Sequence, residues 1–251
     1  MKLRVRFTKN GRIRFISHRD VARVFERALR IAGASIAYSE GFSPRPKISF
    51  GLALSVGFES DAEYLDVDLA APVDLEEFPK ALTAALPDGL AVDAVAPLVP
   101  GTESLQQAIV CCEWKLEAIG LGEAAMALSV SQLLDRNEIM LERNRKGKRT
   151  VVDVRPAVLS LKVAGPTDDG VGLAASLSTE QVTVRPDELV PLLAPGVELG
   201  RARRLKQWIN VDGQQHEPLA AAVACGRNSY VRDLGPTRLT EAQNATAGSK
   251  T

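Results

Sequence analysis

Near the start of the chain Leu3, Val5 and Phe7 alternate with Arg4, Arg6 and Thr8, the period-two pattern of a strand with one buried face. After Lys9-Asn10-Gly11 the alternation resumes, with Ile13 and Phe15 set against Arg12 and Arg14. Asn-Gly tolerates the positive φ of a type I′ turn, so the segment predicts a β-hairpin, with one strand bulged at Gly11 as the competing reading. At Ser17 the period changes. Ser17 is placed to cap a helix with Asp20 three residues on, and Val21, Val24, Phe25, Ala28, Leu29 and Ala32 form one apolar stripe that ends at Gly33. A short strand near Ser35 to Tyr38, a loop over 39–47, strands at Ile48 to Val56 and Tyr64 to Leu69, a helix at Leu75 to Leu86 and a strand at Leu90 to Val95 follow. This order, β-α-β-β-α-β, is the ferredoxin-like plan, which puts both helices on one sheet face and leaves the other open.

Two prolines and a glycine between Ala96 and Gly101 interrupt any regular element, and the same order is then readable again. A strand at Ile109 to Ala118 and a helix at Glu123 to Asp135 are followed by strands at Ile139 to Glu142 and Thr150 to Val154 around a basic turn. Strands at Leu159 to Val163 and Leu173 to Leu177, a helix around Pro186 to Leu193 and a closing segment to Ile209 complete it. The expected organisation is α+β, with two tandem ferredoxin-like domains over 1–96 and 108–210, a linker over 97–107, and an irregular to disordered tail over 211–251.

At 251 residues, with 45% apolar and 25% charged positions, the chain has room for two domains of this size. Its apolar runs, such as Leu219 to Cys225, fall short of the roughly 20 residues a membrane-spanning helix needs, and the N-terminal alternation is unlike a secretory signal, so a cytoplasmic location is expected. The three cysteines suit neither a disulfide framework nor a zinc site, and no metal or cofactor is expected. Cys111 and Cys112 are neighbours on a strand, which predicts one in the core and one exposed.

Charge changes the picture most. Residues 1–50 hold twelve Lys or Arg against three Asp or Glu, and residues 51–100 hold one against ten, so a net charge of zero conceals two opposed blocks. Unbalanced cations attract polyanions, and RNA is the expected partner. Arg19, Arg23, Arg27 and Arg30 recur on the polar side of the first helix, a row suited to a phosphate backbone or, more blandly, to a solvated face. Arg4, Arg6, Arg12 and Arg14 would stand outward on the open sheet face, with Phe7 and Phe15 turned to the core, leaving no aromatic stacking platform there. Asp66 and Asp68 on a neighbouring strand offer Arg4 and Arg6 a cross-strand pairing instead. The loop Gly41-Phe42-Ser43-Pro44-Arg45-Pro46-Lys47 is stiffened by its prolines and presents Ser43, Arg45 and Lys47 at low entropic cost. Arg143, Arg145, Lys146, Lys148 and Arg149 crowd one turn around Gly147, as phosphate contacts or as a solvated tip, and Arg201, Arg203, Arg204 and Lys206 form a weaker cluster. His18, at the helix start beside the arginine row, is a weak candidate for a general base; hydrogen bonding to nearby backbone is the simpler role. No phosphate-binding loop, GxSxG or HExxH motif is present.

The runs Arg14-Phe15-Ile16-Ser17-His18-Arg19-Asp20, Phe25-Glu26-Arg27-Ala28-Leu29-Arg30, Tyr38 through Phe50, and Glu63-Tyr64-Leu65-Asp66-Val67 resemble the radical-SAM-linked protein family. That family is a domain of unknown function found alone or fused behind cobalamin-binding radical SAM proteins. The resemblance is dense over residues 1–70 and looser to about residue 210. Family members usually read Ser-His-Leu-Asp at the helix start and Gly-Phe-Asn-Pro-His-Pro-Lys in the loop. Here Arg19, Ser43 and Arg45 depart from that pattern, adding two cations and removing one possible base. A radical SAM enzyme holds its iron–sulfur cluster on CxxxCxxC, which Cys111, Cys112 and Cys225 cannot supply. The resemblance therefore implies an accessory part. The expectation is a non-catalytic RNA-binding or substrate-presenting protein that works with a separate RNA-modifying or RNA-processing enzyme, with a radical SAM enzyme as one candidate. The alternatives are a metal-independent RNA endonuclease using His18 and a protein–protein adaptor that docks through the acidic 59–77 region.

Overall fold

The computed structural model describes residues 1–145 and 147–225. β1 (Lys2–Lys9) leads through a 3-10 turn (Gly11–Phe15) into α1 (His18–Ile31), followed by β2 (Ile48–Phe50), β3 (Glu59–Asp68), α2 (Phe78–Ala85) and β4 (Leu90–Pro97). Next come α3 (Leu105–Ala108), β5 (Ile109–Ile119), α4 (Glu123–Leu134), the hairpin β6 (Met140–Arg145) and β7 (Lys148–Asp153), β8 (Val158–Pro166) and β9 (Val171–Ser178). α5 (Pro186–Leu189), β10 (Glu198–Val211), β11 (Gln214–His216) and α6 (Pro218–Cys225) close the described chain.

The architecture is α+β, dominated by one mixed nine-stranded sheet. Its order is β4-β1-β3-β10-β5-β9-β8, with β2 on β3 and β11 on β10, while β6 and β7 pair separately. The two halves meet where β3 and β10 run parallel, in a register that sets Arg203 opposite Glu59 and Arg204 opposite Ser60. Every other strand pair is antiparallel.

α1 forms as its periodicity predicts. The Ser17 hydroxyl oxygen accepts the Asp20 N–H, and Val21, Phe25, Ala28 and Leu29 are buried against Leu3, Val5 and Phe7 of β1. The Phe7 and Phe25 rings lie 4.5 Å apart. Each such side chain contributes about 1.5–3 kcal/mol by leaving water. A second core forms around Leu116, Met126, Leu133, Leu161, Leu173 and Leu189.

Several local expectations change. Residues 11–15 form a 3-10 turn, neither a hairpin nor a bulged strand, because tertiary bonds wind this segment. The Asn10 N–H reaches the Gly89 carbonyl, the Gly11 N–H reaches Glu59, and the buried Lys9 ammonium donates to the carbonyls of Arg14 and Ile16. A Cβ at Gly89 would collide with the Asn10 carbonyl oxygen, so only glycine permits that approach. Phe15 is therefore 60% exposed, with the Arg14 guanidinium 4.6 Å from its ring centre. The strand expected at 35–38 is reduced to single bridges from Ile36 to Leu69 and from Tyr38 to Pro46. The one expected over 48–56 stops at Phe50, beyond which the Leu52 and Ala53 carbonyls accept from Arg204. Cys111 and Cys112 are both buried, Cys112 in the second core and Cys111 beside Ser176 and Gln215.

The stretch 211–225, expected to be irregular, is ordered as the end of β10, β11 and α6. Leu219 and Ala222 of α6 join the buried cluster that includes Tyr64, Ala96 and Leu98. α6 thus covers part of the sheet face opposite α1, which the plan read from sequence left open. The remainder of the expected tail, 226–251, lies outside the described residues.

Candidate functional site

The arginines of β1 and of the β3–β10 seam are engaged inside the fold. Arg4, 1% exposed, faces Asp66 across the β1–β3 ladder and grips it with two bonds, Nε to Oδ1 at 2.8 Å and Nη2 to Oδ2 at 3.0 Å. Its Nη1 donates to the Pro218 carbonyl at the start of α6, at 3.3 Å. The cross-strand pairing of Arg4 with Asp66 is present. The companion pairing of Arg6 with Asp68 is not, because the register sets Arg6 opposite Tyr64 and Asp68 opposite Lys2. Arg6 lies 3.9 Å from Asp93 and 3.7 Å from Glu217. Arg14 sits 3.4 Å from Glu59, which also receives Arg203 at 3.0 Å and the Gly11 N–H at 2.9 Å. Burial pushes the Glu59 carboxyl upward, but those donors outweigh it and hold the group below the usual range. Arg204 meets Glu63 at 2.9 Å and stacks 4.8 Å over Trp114, crossing the seam between the halves. The expected outward row of Arg4, Arg6, Arg12 and Arg14 therefore does not exist. Only Arg12 stands in solvent with no ion pair among the described residues.

α1 behaves differently. Arg19, Arg23, Arg27 and Arg30 are all exposed on the side opposite the buried stripe. Four residues of helix rise about 6 Å, so the guanidiniums form a ladder along one edge. Arg23 has only a 3.6 Å surface pair with Asp20, and Arg30 bonds the Glu26 carbonyl. Arg19 and Arg27 carry no ion pair among the described residues. Exposed pairs of this type contribute about 0–1 kcal/mol, so they yield readily to a phosphate.

The 39–47 loop is clamped at its base. The Ser39 N–H donates to the Arg45 carbonyl at 2.8 Å, the Arg45 N–H to the Ser39 hydroxyl at 3.0 Å and the Lys47 N–H to the Ala37 carbonyl at 2.9 Å. Gly41 has a φ of +118°, which only glycine adopts freely, and residues 41–45 project into solvent. Ser43, Arg45 and Lys47 are exposed, and the two cations have no ion pair among the described residues. Phe42 is fully exposed at the loop apex and Tyr38 is 47% exposed at its base. These aromatics were missed. A phenylalanine flanked by Gly, Ser and Pro, outside any apolar period, was the available signal.

The β6–β7 hairpin splits. Arg143 turns inward, its Nε at 2.9 Å and Nη2 at 2.8 Å from the two Glu188 carboxylate oxygens, so its guanidinium is already engaged within the fold. Burial pushes the Glu188 carboxyl up, yet Arg143 and the Arg185 N–H bring it below its ordinary value. Arg149 makes an exposed 2.9 Å pair with Glu142, and Lys148 is exposed without a pair among the described residues. Lys146 and the side chain of Arg145 lie outside the described residues. In the weaker cluster, Arg203 and Arg204 are committed to the seam, Lys206 lies 3.9 Å from Glu217, and Arg201 is exposed. His18 is exposed, its ring edge-on to Phe50 at 5.2 Å, with no side-chain hydrogen bond among the described residues.

No curated protein matches the chain. Among solved structures, a chain of a Cbf5-Nop10-Gar1 complex is similar at 11% identity and a TM-score of 0.50, covering 82% of this chain and 48% of that one. A chain of an H/ACA ribonucleoprotein bound to a substrate RNA containing 2′-deoxyuridine gives 10% identity and a TM-score of 0.43, covering 80% and 46%. The chain thus spans about half the length of these structural neighbours. At such identity the likeness to the Cbf5-Nop10-Gar1 chain is one of fold alone. No described helix is long and apolar enough to cross a membrane. A family model matches residues 2–186, and the chain belongs to the family described as "Uncharacterized protein conserved in bacteria (DUF2344)".

Proposed function

We propose that this chain is a non-catalytic RNA-binding or substrate-presenting accessory protein. It acts in the cytoplasm with a separate RNA-modifying or RNA-processing enzyme, with a radical SAM enzyme as one candidate. The observation that carries the reading is the sorting of cations. Arg4, Arg6, Arg14, Arg203 and Arg204 are paired with carboxylates inside the fold, whereas Arg19, Arg23 and Arg27 on α1 and Arg45 and Lys47 on the clamped loop remain available to phosphates. Arg12 and Ser43 add to these groups, Lys148 and Arg149 offer a separate exposed pair on the β6–β7 hairpin, and Phe42 adds an aromatic face on which an unpaired base can stack. We read the scaffold as two ferredoxin-like units, over 1–96 and 108–210, fused edge to edge. In support, β1 lies between β3 and β4, and β5 lies between β9 and β10.

The other readings draw less support. Glu59, Asp61, Glu63 and Asp66 of the acidic region are engaged by arginines, so a basic partner would have to dock on Asp68 and the exposed Asp74, Glu76 and Glu77. His18 lacks an orienting partner among the described residues. The test is equilibrium RNA binding as salt is raised. Each phosphate contact on a single strand should contribute a slope of about −0.7 in log K against log salt, and a flat line contradicts the proposal. Co-purification of an enzyme that survives nuclease treatment tests the accessory role.

A further inference from the structure

α1 and the 39–47 loop together hold six cations, Arg19, Arg23, Arg27, Arg30, Arg45 and Lys47, against three carboxylates, Asp20, Glu26 and Glu40. Of the six, only Arg23 has a carboxylate partner among the described residues. At 3.6 residues per turn the four helix arginines fall within a sector of about 80°, on the side away from the buried stripe, and at 1.5 Å per residue they run for about 16 Å. That is a single line of donors on a convex surface. It matches the consecutive phosphates of one strand, whereas an A-form duplex is recognised by contacts that cross a groove to both strands.

The loop adds rings that a duplex cannot use. Phe42 is fully exposed at the apex, and Tyr38 is half-exposed at the root, where it bridges to Pro46. Neither ring is stacked on another or covered by a cation among the described residues, unlike Phe15, whose face is taken by Arg14. Pro44, Pro46 and the bonds that tie Ser39 to Arg45 and Ala37 to Lys47 hold Phe42 away from the core, so little order is lost when a base settles on it. The root of the loop is also fixed to the end of the ladder. The Ala34 N–H donates to the Leu29 carbonyl, Ile36 bridges to Leu69, and the Ala37 N–H donates to the Asp68 carbonyl. Seven residue steps link Arg30 to Ala37, which keeps them within about 25 Å, a span that one strand crosses in about seven nucleotides or fewer.

We propose that this surface selects single-stranded over duplex RNA, with the phosphates of the strand on the α1 arginines and an unpaired base stacked on Phe42, while Tyr38 offers a second ring at the loop root. Strand selection presupposes the RNA-binding reading above and adds to it the form of the ligand and the residues that decide it. A paired base keeps its faces stacked and shows only its edges, so Phe42 contributes nothing to a duplex, whereas the arginines serve both forms. Selectivity therefore belongs to the rings and affinity to the ladder. An anionic membrane surface also attracts cations beside an exposed aromatic, but lying in it requires a broad apolar face. α1 turns its apolar side to the core and leaves only the loop rings to enter lipid.

The test is equilibrium binding of the full chain to a short unstructured RNA, to the same strand annealed to its complement, and to vesicles containing phosphatidylserine, each over a range of salt. The single strand should bind at least about fivefold more tightly than the duplex, the lower bound for stacking one base. Phe42→Leu keeps an apolar side chain without the ring, and should remove most of that preference while leaving duplex affinity and the salt slopes unchanged. Tyr38→Leu should do the same to a smaller degree. Both positions are exposed, so the variants keep the fold. Equal or tighter binding of the duplex, a preference that survives both substitutions, or tighter binding to the vesicles than to RNA overturns the proposal. Equal binding of both RNA forms with a normal salt slope removes the selectivity and leaves the RNA-binding reading standing. Absence of RNA binding, or a flat salt dependence, removes both.

Discussion

Arg4 and Arg27 come from one basic block of sequence. In the fold, Arg4 is 1% exposed and locked to Asp66, while Arg27 stands in solvent without an ion pair among the described residues. The difference follows from the elements that carry them. On β1 every second side chain must enter a face of the sheet, and once α6 covers that face an arginine there requires a carboxylate. On α1 the apolar stripe takes the buried side, and the opposite side stays wet at little cost. The same charge thus holds the fold together in one place and remains available to a ligand in the other.

Removing a sheet cation should produce the largest effect. Arg4→Ala leaves Asp66 buried without its partner and should cost about 3–5 kcal/mol in denaturant unfolding, while the molecules that stay folded bind RNA as before. Pairing Arg4→Met with Asp66→Leu should recover most of that loss. A cost below about 1 kcal/mol for the single substitution would place Arg4 with the surface cations.

The β6–β7 hairpin repeats the comparison at smaller scale. Arg143→Ala should destabilise by about 1.5–3 kcal/mol, the range for hydrogen bonds to a charged group, whereas Arg149→Ala should stay within about 0.5 kcal/mol. Equal effects would dissolve the distinction between the two arginines. On the ligand side, Phe42→Ala should weaken single-stranded RNA by about 1–3 kcal/mol and leave both the melting temperature and duplex affinity unchanged. Loss of duplex affinity to the same degree would argue against stacking.

The smallest effect concerns pH. The Glu59 carboxyl titrates below its ordinary value in the folded chain, so its contribution is fully present above the unfolded value of about 4.3 and fades as pH falls through the lower folded one. Glu59→Gln should therefore flatten the acid limb of a plot of stability against pH. An unchanged limb would mean that Arg14, Arg203 and the Gly11 N–H do not hold that carboxylate as the structure shows.

The α1 surface was legible because helical periodicity assigns both faces at once: fixing Val21, Phe25 and Leu29 inward sends Arg19, Arg23 and Arg27 outward. The fate of the sheet arginines was not, since it depends on distant residues. Arg4 is capped by Pro218, Arg14 shares Glu59 with Arg203, and Arg143 is claimed by Glu188. Period-two patterning reported that Arg4 and Leu3 face opposite sides, but not what would later cover each side. The 11–15 segment misled for the same reason: its alternating residues are wound into a turn by bonds to Gly89 and Glu59.

The most direct test compares the salt dependence of RNA binding in the wild type with that in Arg19→Ala/Arg23→Ala/Arg27→Ala. The slope of log K against log salt should become shallower by about 2 for a single strand, at roughly 0.7 per lost contact, with stability unchanged. An unaltered slope would contradict the assignment of the α1 arginines as the phosphate-binding surface.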